Sequence, residues 1–157
     1  MKRDSRLSVA LHALLHMAQV QRLTSEQMAE QAGTNAVVIR RTMAGLRAAG
    51  IVRSEKGHGG GWSLGRGLDQ VTLYDVYEAL GEPTILAMEN RSESPGCVVE
   101  KAVNHALAHA FEEARAVLTQ RLRGVTLQAL AHEVGPRFRY GKPHHRASHH
   151  GKAAPHV

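Results

Sequence analysis

Cysteine is nearly absent from this sequence, which contains Cys97 alone among its 157 residues. A single thiol cannot form an intramolecular disulfide, so a disulfide-stabilised fold is excluded and a reducing, cytoplasmic location is favoured. Long apolar runs are also missing, because His, Arg or Gln interrupts each of them. We therefore expect no membrane span. The basic N-terminus lacks an apolar core with a cleavage site, so we also expect no signal peptide.

Catalytic motifs are missing as well. The sequence has no paired catalytic carboxylates, no nucleophile motif and no phosphate-binding loop, which argues against an enzyme. It does have 43% hydrophobic residues, which is enough for a core in one globular domain with an extension.

Charge is distributed unevenly along the chain. Residues 1–66 carry ten basic and four acidic side chains, residues 67–134 carry five and ten, and residues 135–157 carry five and none. The first segment should therefore attract a phosphate backbone, with an affinity that falls as salt is added. The last segment has five histidines and few apolar residues, which predicts a disordered basic tail. Such a tail could hold a transition metal loosely or add nonspecific affinity for DNA.

Two helices joined by a short turn are predicted between residues 24 and 49. Thr24 with Gln27 three residues later forms a capping-box pattern that starts the first helix, and Gly33 allows the positive φ of a tight turn. The second helix runs from about Asn35 to Ala49, with apolar residues at helical spacing. This is the pattern of a helix-turn-helix, whose second helix lies in the DNA major groove.

A glycine-rich hairpin follows, with strands at about residues 51–54 and 62–64. A hairpin attached to a helix-turn-helix in this way is called a wing. Its presence favours a DNA-binding function over the alternative, in which the two helices and the hairpin serve only for packing. Arginine can donate two hydrogen bonds to guanine, and asparagine can pair with adenine. The residues that we expect to contact DNA are Thr34, Asn35, Val37, Arg40 and Arg41 on the second helix, and Lys56 and His58 on the wing.

The longest predicted helix covers residues 98–123. At 1.5 Å per residue it would be about 39 Å long, which is more than one small domain can cover. Its apolar residues recur every three or four positions, so we expect the same helix of a second chain to cover it. A two-fold homodimer of this kind would bind a palindromic operator.

These observations predict a mainly α fold with a small β-hairpin wing. Residues 1–66 would form a winged helix-turn-helix, residues 67–134 a dimerisation and sensing region with the long helix, and residues 135–157 the tail.

Several stretches resemble the Rrf-two family of bacterial winged-helix repressors. The most specific is SEKGHGGGWSL at residues 54–64, and others are AEQAG at 29–33, LRAAGIV at 46–52 and DVYEAL at 75–80. The resemblance covers about residues 6–134. It implies a dimer held by the long helix and a wing that reaches the minor groove. Lys56 stands where the family often has Arg, and Trp62 where it often has Tyr.

The sequence departs from the family's sensors at the metal-binding positions. Those sensors commonly use three closely spaced cysteines, whereas this chain has only Cys97. We therefore expect no iron–sulfur cluster or other cofactor and place the chain in the cluster-free, single-cysteine branch. His12 matches a ligating position of a relative, so a metal or cluster site formed by Cys97 and His12 is the alternative.

Cys97 has two interpretations at this stage. At the start of the long helix, the positive end of the helix dipole would favour a thiolate, and oxidation of that thiol could change DNA affinity. The other interpretation is a small apolar residue in the core.

The sequence as a whole predicts a dimeric, sequence-specific transcriptional regulator, and we expect a repressor switched by Cys97. The alternatives are a metal- or iron–sulfur-sensing regulator and a protein-interaction module that binds an enzyme.

Overall fold

The structure is a computed structural model and describes residues 6–83 and 97–135. Six α-helices, one 3-10 helix and two strands lie in these ranges. In chain order they are α1 (Arg6–Met17), α2 (Ser25–Ala32), α3 (Ala36–Ala48), β1 (Val52–Glu55), β2 (Gly61–Leu64), the 3-10 helix (Leu68–Gln70), α4 (Leu73–Ala79), α5 (Val98–Arg123) and α6 (Leu127–Val134). The predicted mainly α fold with a two-stranded hairpin is confirmed.

Side-chain caps fix where α2, α3, α4 and α6 begin. The predicted capping box of α2 is present, with the Thr24 hydroxyl accepting from the Gln27 backbone N–H and the Gln27 side chain accepting from the Thr24 N–H. Thr72 and Asp75 form the same arrangement at α4, and Thr126 caps α6. Such a cap typically contributes about 1 kcal/mol, since it satisfies N–H groups that have no partner inside the helix.

The core lies where α1, α2, α3 and α4 converge. Leu14 of α1 and Ile39, Met43 and Leu46 of α3 are completely buried, and each large apolar side chain contributes about 1.5–3 kcal/mol by leaving water. Apolar residues at helical spacing predict one helix over residues 6–20. The end of that prediction is wrong, because α1 stops at Met17 and a turn then brings the chain back to the wing.

Helices α3 and α4 cross at Gly45. A Cβ built on this glycine would lie 2.4 Å from the carbonyl oxygen of Ala79, an atom of the α4 backbone. The two helices therefore approach more closely than any side chain at position 45 would permit.

Helix α5 is joined to this body at its C-terminal end. The Leu73 N–H donates to the Val125 carbonyl and the Leu127 N–H donates to the Val71 carbonyl, both at 2.9 Å, which ties the starts of α4 and α6 together. Arg115 forms an ion pair with Glu82, and the guanidinium carbon of Arg123 lies 4.2 Å from the centroid of the Tyr74 ring. None of the 26 residues of α5 is buried within one chain.

Across the described ranges, no helix is long and apolar enough to cross a membrane. The polar, turn-rich sequence of residues 84–96 predicts an exposed loop, and this stretch lies outside the described residues. So does the predicted disordered tail at 135–157, apart from Gly135.

Candidate nucleic-acid interface

A tight turn sets the angle between α2 and α3. Gly33 has a φ of 63°. Its N–H and that of Thr34 both donate to the Ala29 carbonyl oxygen, and these bonds end α2. A left-handed residue at this position is the usual helix terminator, and glycine adopts it without strain. Helix α3 then begins with Asn35 as its cap, so the turn predicted at Gly33 is confirmed.

One face of α3 is apolar and buried, and the opposite face is open to solvent. Ile39 and Met43 are inaccessible, whereas Val37 is 66% exposed. Val37, Arg41 and Ala44 follow one another at four and three positions, so they form one stripe on the outer side of the helix. We call these three residues the outward stripe. The side chains of Val37 and Ala44 are small, so another molecule can approach this side of α3 closely. Arg41 lies between them.

Thr34 and Asn35 lie at the start of α3, as predicted. The side chain of Asn35, however, caps this helix. Its carboxamide oxygen accepts the Val38 N–H at 3.0 Å, the bond that caps the helix. The bidentate pairing of asparagine with adenine uses that same oxygen as an acceptor. Thr34 is only half-exposed.

Arg40 lies beside the outward stripe and turns toward α2. Its Nη1 donates to Glu26 at 3.1 Å, and both side chains are more than half exposed. The Glu26 backbone N–H is the main cause that lowers the pKa of this carboxyl, and Arg40 lowers it further. An exposed pair of this kind is weak, so Arg40 can exchange Glu26 for another acceptor.

The wing is an antiparallel hairpin in which Val52 pairs with Leu64 and Glu55 with Gly61. Residues 56–60 form its tip, and Lys56 and His58 are exposed there, as predicted. Gly60 allows the tip to close, since a Cβ on it would lie 2.4 Å from the Glu55 carbonyl oxygen.

Trp62 fastens the wing to the helix-turn-helix. Its backbone forms two hydrogen bonds with Leu23, at 2.8 and 3.0 Å. Its indole N–H donates to the Ser25 hydroxyl at 3.0 Å, at the first residue of α2. Strand β2 therefore has a backbone partner on each side, and the wing has a fixed position relative to α3.

Three residues of this surface, Arg22, Ala44 and Arg53, are not among those that the sequence predicts to contact DNA. Ala44 was open to prediction, since it continues the spacing of Val37 and Arg41. Arg53 is exposed on β1, opposite Ser63 of β2. Arg22 precedes α2 but contacts Glu55 and Gly59, and no local sequence pattern indicates a contact across 37 residues.

Cys97 and His12, the candidate sensor residues, are both exposed. Cys97 is the N-cap residue of α5, which rules out its interpretation as a core residue within one chain. The Nε2 atom of His12 lies 2.8 Å from that of His16, one turn along α1, and the two rings stack. Burial lowers the pKa of His16, and the charge of His12 lowers it further.

A conventional iron–sulfur cluster does not fit these donors. Such clusters are held by about four thiolates or equivalent ligands, and the whole sequence supplies one cysteine. In the part of the chain that the structure describes, no three His, Cys, Asp or Glu side chains come together as a metal site.

Comparison with known proteins identifies relatives over most of the chain. The profile of the Rrf2 (Rrf-two) family, described as an iron-dependent transcriptional regulator, matches residues 3–133. YwnA of Bacillus subtilis, which bears the name of an HTH-type transcriptional regulator, is 31% identical over 125 residues that cover 80% of this chain and 93% of YwnA.

Solved structures have the same fold. A crystal structure named as that of a DNA-binding protein is 30% identical, with a TM-score of 0.64, and the match covers 80% of this chain and 98% of that one. CymR, the global cysteine regulator of B. subtilis, is 21% identical with a TM-score of 0.61, and the match covers 85% of this chain and 98% of CymR. These relatives are transcriptional regulators and DNA-binding proteins, not enzymes.

Proposed function

Because the chain belongs to the Rrf2 family of transcriptional regulators, we propose that it is a homodimeric, sequence-specific DNA-binding repressor that acts in the cytoplasm. The observation that supports this most is the outward stripe of α3, exposed beside a wing that is fixed in position. A helix-turn-helix binds DNA by placing that face of its second helix in the major groove.

The charged residues around the outward stripe have complementary tasks in this proposal. Arg41 forms no hydrogen bond or ion pair within residues 6–83 and 97–135, so its guanidinium is available to the edge of a guanine. Lys56 and His58 on the wing reach the phosphates or the minor groove, while Arg40 beside the outward stripe and Arg53 on β1 add positive charge. Thr34 and Asn35 hold the start of α3 against the backbone of the DNA. Phosphate contacts set the position of the protein, and base contacts select the sequence.

The direct experiment is a titration of the full chain on DNA fragments from upstream of its own gene, at several salt concentrations. We expect one fragment to bind much more tightly than the others, with an affinity that falls steeply as salt rises. Binding that is independent of salt, or equal for every fragment, would contradict the proposal. The first of those results would favour a protein-interaction module.

We infer the dimer from the apolar side of α5. Val99, Val103 and Val117 are 70%, 50% and 62% exposed and lie on one stripe of the helix. The residues that pack toward α4, such as Arg115 and Arg123, lie on the other side. A second copy of α5 would cover the stripe and give a two-fold dimer, whose operator has two symmetric half-sites.

Replacing Val103 by glutamate should separate the dimer, since each chain would bury a carboxylate in the apolar interface. We expect sedimentation to give the mass of one chain. Operator affinity should fall at least about 10-fold, because a single chain can contact only one of the two half-sites. His105→Glu adds a carboxylate to the other side of α5 and should leave a dimer. A dimeric Val103→Glu protein would show that another surface holds the two chains together.

We further propose that Cys97 is the sensor of the repressor. An exposed thiol at the start of α5 can be oxidised reversibly, or pair with another thiol, at the end of the helix that joins the two chains. Peroxide should release wild-type protein from its operator, whereas Cys97→Ser should remain bound. Equal release of both proteins would exclude the thiol.

The metal-sensing alternative predicts a different result. Anaerobically purified protein that is coloured and contains iron would assign Cys97 and His12 as ligands. Colourless, iron-free protein is what the thiol switch predicts.

A further inference from the structure

Arg22 joins the linker before α2 to both ends of the wing tip. Its Nη2 lies 2.6 Å from the Glu55 carboxylate, at the last residue of β1. Its Nη1 donates to the Gly59 carbonyl oxygen at 2.9 Å, at the far side of the turn. The planar guanidinium can form both contacts at once, which an ammonium cannot do with the same geometry.

The wing tip needs such an external contact. Gly57 and Gly59 have φ values of 97° and 77°, and glycines lose more backbone entropy on ordering than other residues do. The backbone bonds between Trp62 and Leu23 hold strand β2, but they end before the tip. Within the described ranges, Arg22 is the only residue whose side chain hydrogen-bonds or pairs with residues 55–60.

Charge gives Arg22 a second effect at the same place. Glu55 directly precedes Lys56, the proposed phosphate contact, and an unpaired carboxylate there would repel DNA. The guanidinium of Arg22 neutralises this carboxylate from the side of the helix-turn-helix. The contact therefore holds the tip in position and preserves its positive character.

We propose that Arg22 is a positioning residue for DNA binding, which fixes the wing through Glu55 and Gly59 so that Lys56 reaches the DNA. This inference rests on the proposed function and adds a residue that acts through the wing. The competing explanation is that Arg22 itself contacts a phosphate, as any exposed arginine near DNA can.

Four proteins separate the two explanations: wild type, Arg22→Ala, Glu55→Gln and the double variant. Hydrogen exchange of the amides of residues 56–60 is measured on free protein, and affinity is measured on the upstream fragment. Because the side chains of Arg22 and Glu55 are 40% and 54% exposed, solvent weakens the contact. We expect Arg22→Ala to speed exchange at the tip and to weaken binding, each by about 3- to 10-fold. In the Glu55→Gln background the loss of affinity should be clearly smaller, because the repelling carboxylate is gone.

A direct phosphate contact gives another pattern. Arg22→Ala would then leave exchange at the tip unchanged, weaken binding equally in both backgrounds and reduce the salt slope by about one. That pattern would overturn the inference, and so would faster exchange with unchanged affinity. Arg22→Lys restores the charge without the fork, so it should leave exchange at the tip faster than in wild type.

The exchange measurement also keeps this inference distinct from the proposed function. If wild-type protein binds no fragment, the proposed function fails and the DNA role of Arg22 fails with it, whatever the exchange shows. If wild type binds and the variants behave like it, only the role of Arg22 is refuted. Arg66→Ala removes an arginine that contacts the Gln70 carbonyl instead and should leave exchange at the tip unchanged.

Discussion

Alanine in place of Arg41 should reduce the preference of the protein for its operator over unrelated DNA by about 1–3 kcal/mol, on the order of 10- to 100-fold. Arg41 lies on the outward stripe of α3, between Val37 and Ala44, and it has no partner in the described ranges. Its five N–H donors are therefore ready for a guanine edge, whereas Arg40 must first leave Glu26. The measurement is a pair of binding titrations, one on the operator and one on a scrambled duplex.

Two other variants make that experiment specific. Lys56→Ala should weaken binding to both duplexes by similar factors, because a phosphate contact carries no sequence information. Lys101→Ala removes one positive charge from the side of α5 opposite the apolar stripe and should change neither titration much. If Arg41→Ala weakens both duplexes equally, Arg41 contacts the backbone and another residue reads the bases.

Alanine in place of Gly45 should lower the free energy of unfolding by about 2–3 kcal/mol. Helix propensity alone predicts the opposite sign, since alanine is better than glycine in a helix interior by about 1 kcal/mol. Sterics decide the outcome, because the new methyl group would lie 2.4 Å from the Ala79 carbonyl oxygen. That oxygen belongs to the backbone of α4, so relief requires the whole helix to move.

Urea unfolding of the wild type, Gly45→Ala and Ala44→Gly tests this prediction. Ala44 is exposed on the same helix, so its change to glycine should cost only the helix-propensity difference of about 1 kcal/mol. The larger loss should therefore come from the substitution that improves helix propensity. A Gly45→Ala protein as stable as wild type would show that α3 and α4 can separate at little cost.

Local signals made the fold predictable. The capping box at Thr24, the left-handed glycine at position 33 and the glycine-rich tip at residues 57–60 each act within a few neighbouring residues. Sequence alone was therefore enough to place the helix-turn-helix, the wing and the limits of α5 at residues 98–123. The family resemblance, confirmed by comparison, connected these parts to DNA.

Contacts between distant parts of the chain were not predictable in the same way. The closeness of α3 to α4 at Gly45 depends on how the two helices cross. The contacts of Arg22 with Glu55 and Gly59 depend on where the turn after α1 places the chain. Asn35 was predicted to face bases, and only the structure shows that its side chain caps α3.

The central claim is that a dimer of this protein recognises one DNA sequence. The most direct test is to let the protein select the duplexes that it binds from a pool of random DNA. A dimer that reads DNA with α3 and the wing should enrich one two-fold symmetric sequence, with half-site centres about 10 base pairs, or a multiple of that, apart. The Arg41→Ala protein should enrich it far less. Recovery of DNA with no preferred sequence would contradict the claim, and would leave the basic surface as a nonspecific contact.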